Sequence, residues 1–191
     1  ERLDDGLARI TVMDAGQGLS VLVQTRNRNL LFDTGTAQAA QTGIVPSLNA
    51  MGVRRLDTLI LSHHDSDHDG GLDAVSDIEI GETLAGQPEF YPNAKFCAEA
   101  QWQWDGGDFE ILRSSEDSGG EDNDKSCVLR VVSDGQALLV TGDLGVKGEA
   151  GLVERYGGSL YSQVLILGHH GSNTASSGSF LNTVAPKYAV A

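Results

Sequence analysis

The chain runs to 191 residues with 13 basic and 27 acidic side chains, a net charge of −14, and its 40% hydrophobic and 21% charged shares are those of an ordinary soluble domain with a real core. No stretch approaches the roughly 20 apolar residues needed to span a bilayer, and no signal-peptide pattern opens the sequence. The acidic balance argues against tight, non-specific binding of duplex DNA by this domain alone, because phosphate backbones are held by Lys and Arg.

Alternation predicts strands over Ala8 to Asp14 and Leu19 to Thr25, and the apolar run Asn29 to Phe32 closes on Asp33-Thr34-Gly35, so the opening reads as an antiparallel meander. A helix is expected from Gly43 to Met51, with Ile44, Leu48 and Met51 on one face and Gly52 ending it. Thr58 to Leu61 reads as a buried strand that runs into Ser62-His63-His64-Asp65-Ser66-Asp67-His68-Asp69-Gly70-Gly71, after which Leu72 to Val75 is expected to begin a helix. Glu116, Asp117, Glu121, Asp122 and Asp124 fall in one Ser/Gly-rich stretch and read as a solvated acidic loop. Beyond them come strands over Phe109 to Leu112, Cys127 to Val132 and Ala137 to Thr141, the last two joined by an Asp134-Gly135 turn. A helix over Gly148 to Tyr156, a strand over Val164 to Leu167, a short helix over Gly178 to Val184 and a last strand complete an α/β pattern. The start at Glu1 without an initiator Met and the strand-like end Tyr188 to Ala191 lead us to expect a domain of something longer.

Each polar cluster follows a strand, which is where layered α/β folds build their sites. Five of the six consecutive positions His63 to His68 carry His or Asp, directly after a strand that has to be buried. Imidazole nitrogen and carboxylate oxygen are ligands of divalent metals, and a loop with several of them can feed two adjacent ions. Asp143, after the strand ending at Thr141, and His169 or His170, after the strand ending at Leu167, supply the further ligands that one loop rarely provides. A carboxylate can bridge two cations, and Asp143 is the candidate for that place. Nucleophilic catalysis is weakly supported: Ser62, Ser126 and Ser172 lie near the histidines, but no Gly-x-Ser-x-Gly elbow exists. Cys97 and Cys127 have no Cys-x-x-Cys context and are either two buried thiols or one disulfide.

These residues resemble the metallo-β-lactamase superfamily, whose His-x-His-x-Asp-His signature reads here as His63-x-Asp65-x-Asp67-His68, with Asp in place of the second His. The resemblance extends through Met13 to Gly18, Phe32 to Gly35, Asn123 to Leu129, Leu139 to Leu144 and His169 to Thr174. Within the superfamily it points to the C-terminal metallo-β-lactamase-like domain of the ComEC family of DNA-uptake channels in natural transformation, including the Trp104-Asp105-Gly106 stretch. It implies an αββα sandwich over residues 1–191, cut from a larger membrane protein and short of its C-terminal end. It also implies a metal set of His63, Asp65 and Asp143 for one ion and Asp67, His68, Asp143 and His169 for the other. The separate His that many relatives place between the metal loop and the bridging Asp has no counterpart, since no histidine lies between His68 and His169.

The resulting expectation is a metal-dependent nuclease that degrades the DNA strand not imported, with Asp67 and His170 as catalytic residues. Two divalent ions are expected, Mn²⁺ favoured by the hard ligand set and Zn²⁺ as the other candidate. The resemblance further implies single-stranded DNA and the rest of the channel as partners, no stable oligomer, and a periplasmic domain of an inner-membrane protein. That oxidising compartment favours a Cys97–Cys127 disulfide. Asp69, one residue beyond the ligand set, is expected to matter little. Two other classes remain open: a small-molecule metallo-hydrolase of the lactonase or thioesterase type, and a non-catalytic DNA-guiding scaffold.

Overall fold

The computed structural model describes residues 2–114 and 122–191, so Glu116, Asp117 and Glu121 of the acidic stretch lie outside the described residues. The chain divides into two compact units, Glu1–Cys97 and Ala98–Ala191. Among the described residues no helix is long and apolar enough to cross a membrane.

The first unit opens on the expected meander, β1 (Arg9–Val12), β2 (Val21–Gln24) and β3 (Asn29–Phe32), paired antiparallel. From β3 the pairing turns parallel, through β4 (Arg55–Leu61), β5 (Glu79–Ala85) and the short β6 (Lys95–Phe96). A parallel step needs a crossover, and helical chain supplies it. This segment begins earlier than expected, with α1 (Ala37–Ala39) capped by the Thr36 hydroxyl, then a π-helical turn over Ala40–Ile44 and α2 (Val45–Ala50). Pro46 has no N–H for the carbonyl four residues back, and the wider turn just before it absorbs the break. Ala40, Ile44 and Leu48, spaced by four, are all fully buried against Leu31, Leu59 and Leu61.

One expectation fails in this unit, and one strand had no counterpart in the sequence reading. Residues 66–77 form successive turns, so the helix expected at Leu72 to Val75 is absent. Gly70 and Gly71 precede it, and the bonds from Leu72 N to Asp69 O and from Ala74 N to Gly71 O have turn spacing. The strand β5 went unpredicted because Glu-Ile-Gly-Glu-Thr-Leu-Ala carries little apolar signal and only its last residue is fully buried.

The second unit mirrors that wiring. β7 (Ala100–Trp104), β8 (Gly107–Leu112), β9 (Val128–Ser133) and β10 (Gln136–Val140) are antiparallel, and β10, β11 (Val164–Ile166) and β12 (Tyr188–Val190) are parallel. The Asp134-Gly135 turn has both residues at positive φ, 48° and 70°, as a tight hairpin requires. The helices α3 (Val146–Tyr156) and α4 (Gly178–Val184) bury Leu152, Phe180 and Val184 on Leu139 and Leu165. β7 escaped sequence reading; its Trp102 ring stacks on Phe109 of β8 at 5.4 Å between centroids. Cys97 and Cys127 are fully buried and both disulfide-bonded, which agrees with the expectation drawn from an oxidising compartment.

Asp57 locks the parallel register. Its carboxylate accepts from Arg28 Nη1 at 2.7 Å and from the Asn29 backbone at 3.0 Å, tying the β2–β3 turn to β4. Burial opposes its charge, yet the Arg28 hydrogen bond, the Asn29 N–H and the Arg28 charge together hold the carboxyl below the ordinary value of 3.8. A lowered folded value contributes stability above the unfolded value, and that stability is lost as pH falls through the folded one. With Arg28 half exposed, Asp57→Asn is expected to cost about 1–2 kcal/mol at neutral pH. The gap to wild type should close below about pH 4. Urea unfolding of both proteins across that range is the check, and a gap that does not narrow would assign the loss to packing.

Candidate functional site

Every candidate side chain lies just past the C-terminal end of a parallel strand. In the first unit these are Asp33 after β3 and Ser62, His63 and His68 after β4, all buried to 1% exposure or less. A carboxylate in such a place has to be fully hydrogen-bonded. Asp33 Oδ1 accepts from Ser62 N at 2.7 Å, and Oδ2 accepts from Ser62 Oγ and from His68 Nδ1, each at 2.8 Å.

This arrangement fixes both imidazoles. An ionised carboxylate only accepts, so His68 Nδ1 carries the proton. The Ser62 hydroxyl proton points to Asp33, so its oxygen accepts from His63 Nδ1 at 3.0 Å. Both histidines therefore carry the proton on Nδ1 and the lone pair on Nε2, which is how a metal-ligating imidazole is oriented by its neighbours. The two rings lie 4.4 Å apart between centroids. Asp67 Oδ2 sits 4.0 Å from His68 Nε2, beyond hydrogen-bond range and near the spacing of donors around one cation at about 2.0–2.2 Å from each. Asp65 is exposed; its Oδ1 accepts from Ser66 N at 2.6 Å, and the structure pairs it with neither histidine.

Bare backbone holds this loop in place. A Cβ on Gly18 would come within 2.5 Å of the Asp67 carbonyl, whose oxygen accepts from Leu19 N, and one on Gly71 would strike the Thr34 carbonyl. On the outer side, Asp69 has more to do than its position beyond the ligand set indicated. Its Oδ2 accepts from Tyr91 OH at 2.6 Å and lies 2.5 Å from His64 Nδ1. Burial, and then the Asp69 carboxylate, push the Tyr91 phenol well above its ordinary value, so it remains a donor.

In the second unit, Asp143 (after β10) is buried, with Oδ2 3.9 Å from His169 Nε2 and 3.7 Å from His170 Nε2. Both histidines from the sequence reading thus reach the carboxylate. Each has left-handed backbone, φ 49° and 50°, a strained state for a non-glycine residue that surrounding structure must hold. Thr174 Oγ1 lies 2.7 Å from His169 Nδ1 and donates to Ser172 Oγ, so it accepts the His169 Nδ1 proton and leaves Nε2 toward Asp143. Glu149 of α3, also buried, accepts from the backbone N–H groups of Ser176 and Ser177 and anchors the chain that follows. A cavity of about 230 Å³ opens here, lined by Asn123, Asp124, Asp143, Lys147, His169 and Thr174. Histidine nitrogens of defined tautomer beside carboxylates are the donor chemistry of a divalent-cation site. Asp33, Ser62 and Thr174 went unassigned from sequence, although the first two stand at the ends of adjacent buried strands.

Ser62→Ala is expected to weaken metal binding roughly 10–100-fold while the protein stays folded, because His63 loses the oxygen that fixes its proton. Asp33→Asn should be worse, since an amide keeps one acceptor oxygen and turns an N–H donor toward the Ser62 and His68 donors that Asp33 satisfies with two. Chelator-competition titration with circular dichroism as the folding control measures this, and wild-type affinity in Ser62→Ala would refute the tautomer argument.

Residues 13–191 match the metallo-beta-lactamase superfamily. The chain is 70% identical over all of its length to "Competence protein ComA" of Neisseria gonorrhoeae, of which it covers 28%. It is 34% identical over 95% of its length to "Recombination protein 2" of Haemophilus influenzae, of which it covers 24%, so it spans about a quarter of these relatives. Among solved structures, a B3 metallo-beta-lactamase with an active-site glutamic acid superposes with a TM-score of 0.63 at 16% identity, covering 88% of this chain and 81% of that one. Two mixed sheets, site loops at the ends of their parallel strands and a family match across nearly the whole chain agree: the protein belongs to the metallo-beta-lactamase superfamily.

Proposed function

We propose that this chain is the metal-dependent hydrolase domain of a competence DNA-uptake channel, and that it cleaves phosphodiester bonds in the DNA strand that is not imported. The observation that carries the chemistry is the buried Asp33–Ser62 pair, which turns both His63 and His68 into Nε2 donors. The biological setting is supported by the 70% identity to a relative named as a competence protein. In this reading the metals are held by His63, Asp65, Asp67 and His68 from the loop after β4 and by Asp143 and His169 from the loops after β10 and β11. A bound divalent cation supplies an activated water near neutral pH and takes up charge developing on phosphoryl oxygens. Asp67 orients the attacking water, and His170 contacts the phosphate or returns a proton to the leaving oxygen. The substrate is single-stranded DNA, and the domain works at the periplasmic face of an inner-membrane channel.

The absence of a histidine between His68 and His169 favours a second reading, a non-catalytic DNA guide, and one set of measurements separates the two. Single-stranded DNA is incubated with Mn²⁺, Zn²⁺ and Mg²⁺ side by side, with bound metal counted per chain. Cleavage is expected with Mn²⁺ above Zn²⁺, because three carboxylates make a hard donor set. No metal and no cleavage would support the guide, and turnover of thioesters or lactones in place of DNA would indicate a small-molecule hydrolase. Asp143→Asn should abolish cleavage and lower bound metal in a folded protein, since an amide keeps the shape but removes the charge assigned to both ions. Wild-type cleavage by folded Asp143→Asn would remove the two-metal reading.

A further inference from the structure

The metal loop carries one histidine with no place in the ligand set. His64 sits between His63 and Asp65, and its side chain is 47% exposed. Its ring stacks on Phe90 with centroids 4.1 Å apart and planes 20° from parallel. Phe90 is itself 50% exposed, at the end of the short turn Pro88–Phe90, and contributes nothing to the buried core of its unit. An exposed Phe is unremarkable alone, but the histidine it stacks on is held from several sides. His64 N donates to Oε1 of the buried Gln87 at 2.9 Å, while Nδ1 meets Asp69, which Tyr91 OH clamps from the other side. The Tyr91 ring stands edge-on to His64 at 5.9 Å and fixes its plane.

From this we infer that His64 and Phe90 form a stacking platform for a nucleobase of single-stranded DNA beside the metal loop; the inference rests on the nuclease reading. A chain with 27 acidic and 13 basic side chains, whose metal loop alone carries Asp65, Asp67 and Asp69, is poorly equipped to hold a strand by its phosphates. Stacking does not depend on charge, accepts any base, and is restricted to unpaired bases whose faces are open. Prior fixing of the His64 ring by Asp69 and Tyr91, with Phe90 stacked against it, means that little side-chain freedom is lost when a base arrives. The platform would seat one base and so place its phosphate in register with the neighbouring ligand residues.

The test is fluorescence anisotropy with a short, phosphorothioate-linked and therefore cleavage-resistant single-stranded oligonucleotide, compared with an abasic strand of the same length, both with added Mn²⁺. Wild type should bind the base-bearing strand about tenfold more tightly than the abasic one. Phe90→Ala should remove that preference and Phe90→Tyr should retain it, which separates stacking from any loss of fold. Equal binding of both strands by wild type, or an undiminished preference in Phe90→Ala, overturns the inference. Base preference without DNA cleavage would leave the platform standing and remove the nuclease reading; cleavage without base preference would do the reverse.

Discussion

The first unit is organised around a buried negative charge. Asp33 lies fully inside the protein, and leaving a carboxylate there without partners would cost several kcal/mol. Its partners are Ser62 and His68, at the two ends of the metal loop, so satisfying one carboxylate also positions the loop. Position alone would leave the proton of each imidazole undetermined. The hydroxyl of Ser62 settles it, since its single proton goes to Asp33 and its oxygen is left to take one from His63. Parallel pairing of β3 with β4 makes this possible by bringing the ends of the two strands side by side.

The second unit reaches a similar end by different means. Thr174 and Ser172 replace the carboxylate as the acceptor that orients an imidazole, and Asp143 is left to face His169 and His170. Two consecutive residues in left-handed backbone are an unfavourable local choice. Glu149 stabilises the return path of the chain by taking two backbone N–H groups from the segment beyond them. Helix α3 thereby holds a loop it does not touch in sequence.

Much of the fold was legible in the sequence where burial is one-sided or complete. The runs Asn29–Phe32 and Gly178–Val184 have the bounds their residues indicate, and the Asp134-Gly135 turn could be read from its dipeptide. Strands β5 and β7 were hidden because partial exposure erases the apolar alternation, leaving Glu79 to Ala85 and Ala100 to Trp104 without a pattern. The helix start at Ala37 was missed because it depends on the Thr36 cap and a π-helical turn, neither of which has an apolar period. At the site, residue types and their strand-end positions were enough to nominate His63, His68, Asp143 and the His169-His170 pair. What spacing does not carry is which side chain orients which: the roles of Ser62, Thr174 and Asp69 exist only once the chain has folded.

The loop after β4 is unevenly tolerant of change, and this bears on the single departure from the family signature. At Gly18 and Gly71 even a methyl group collides with backbone, and Ser62, His63 and His68 are enclosed. His64, Asp65 and Ser66 face outward. Asp65 stands where the signature has its second histidine, and its side-chain carboxylate is hydrogen-bonded to the adjoining Ser66, while its backbone carbonyl accepts from His68 N and Asp69 N as any residue there could. An exchange at that position disturbs no packing, so the donor chemistry of the loop can drift there while the scaffold beneath stays constant. Variation among related sequences should accordingly concentrate at residue 65, which is also where any effort to retune the metal preference of the domain has its widest latitude.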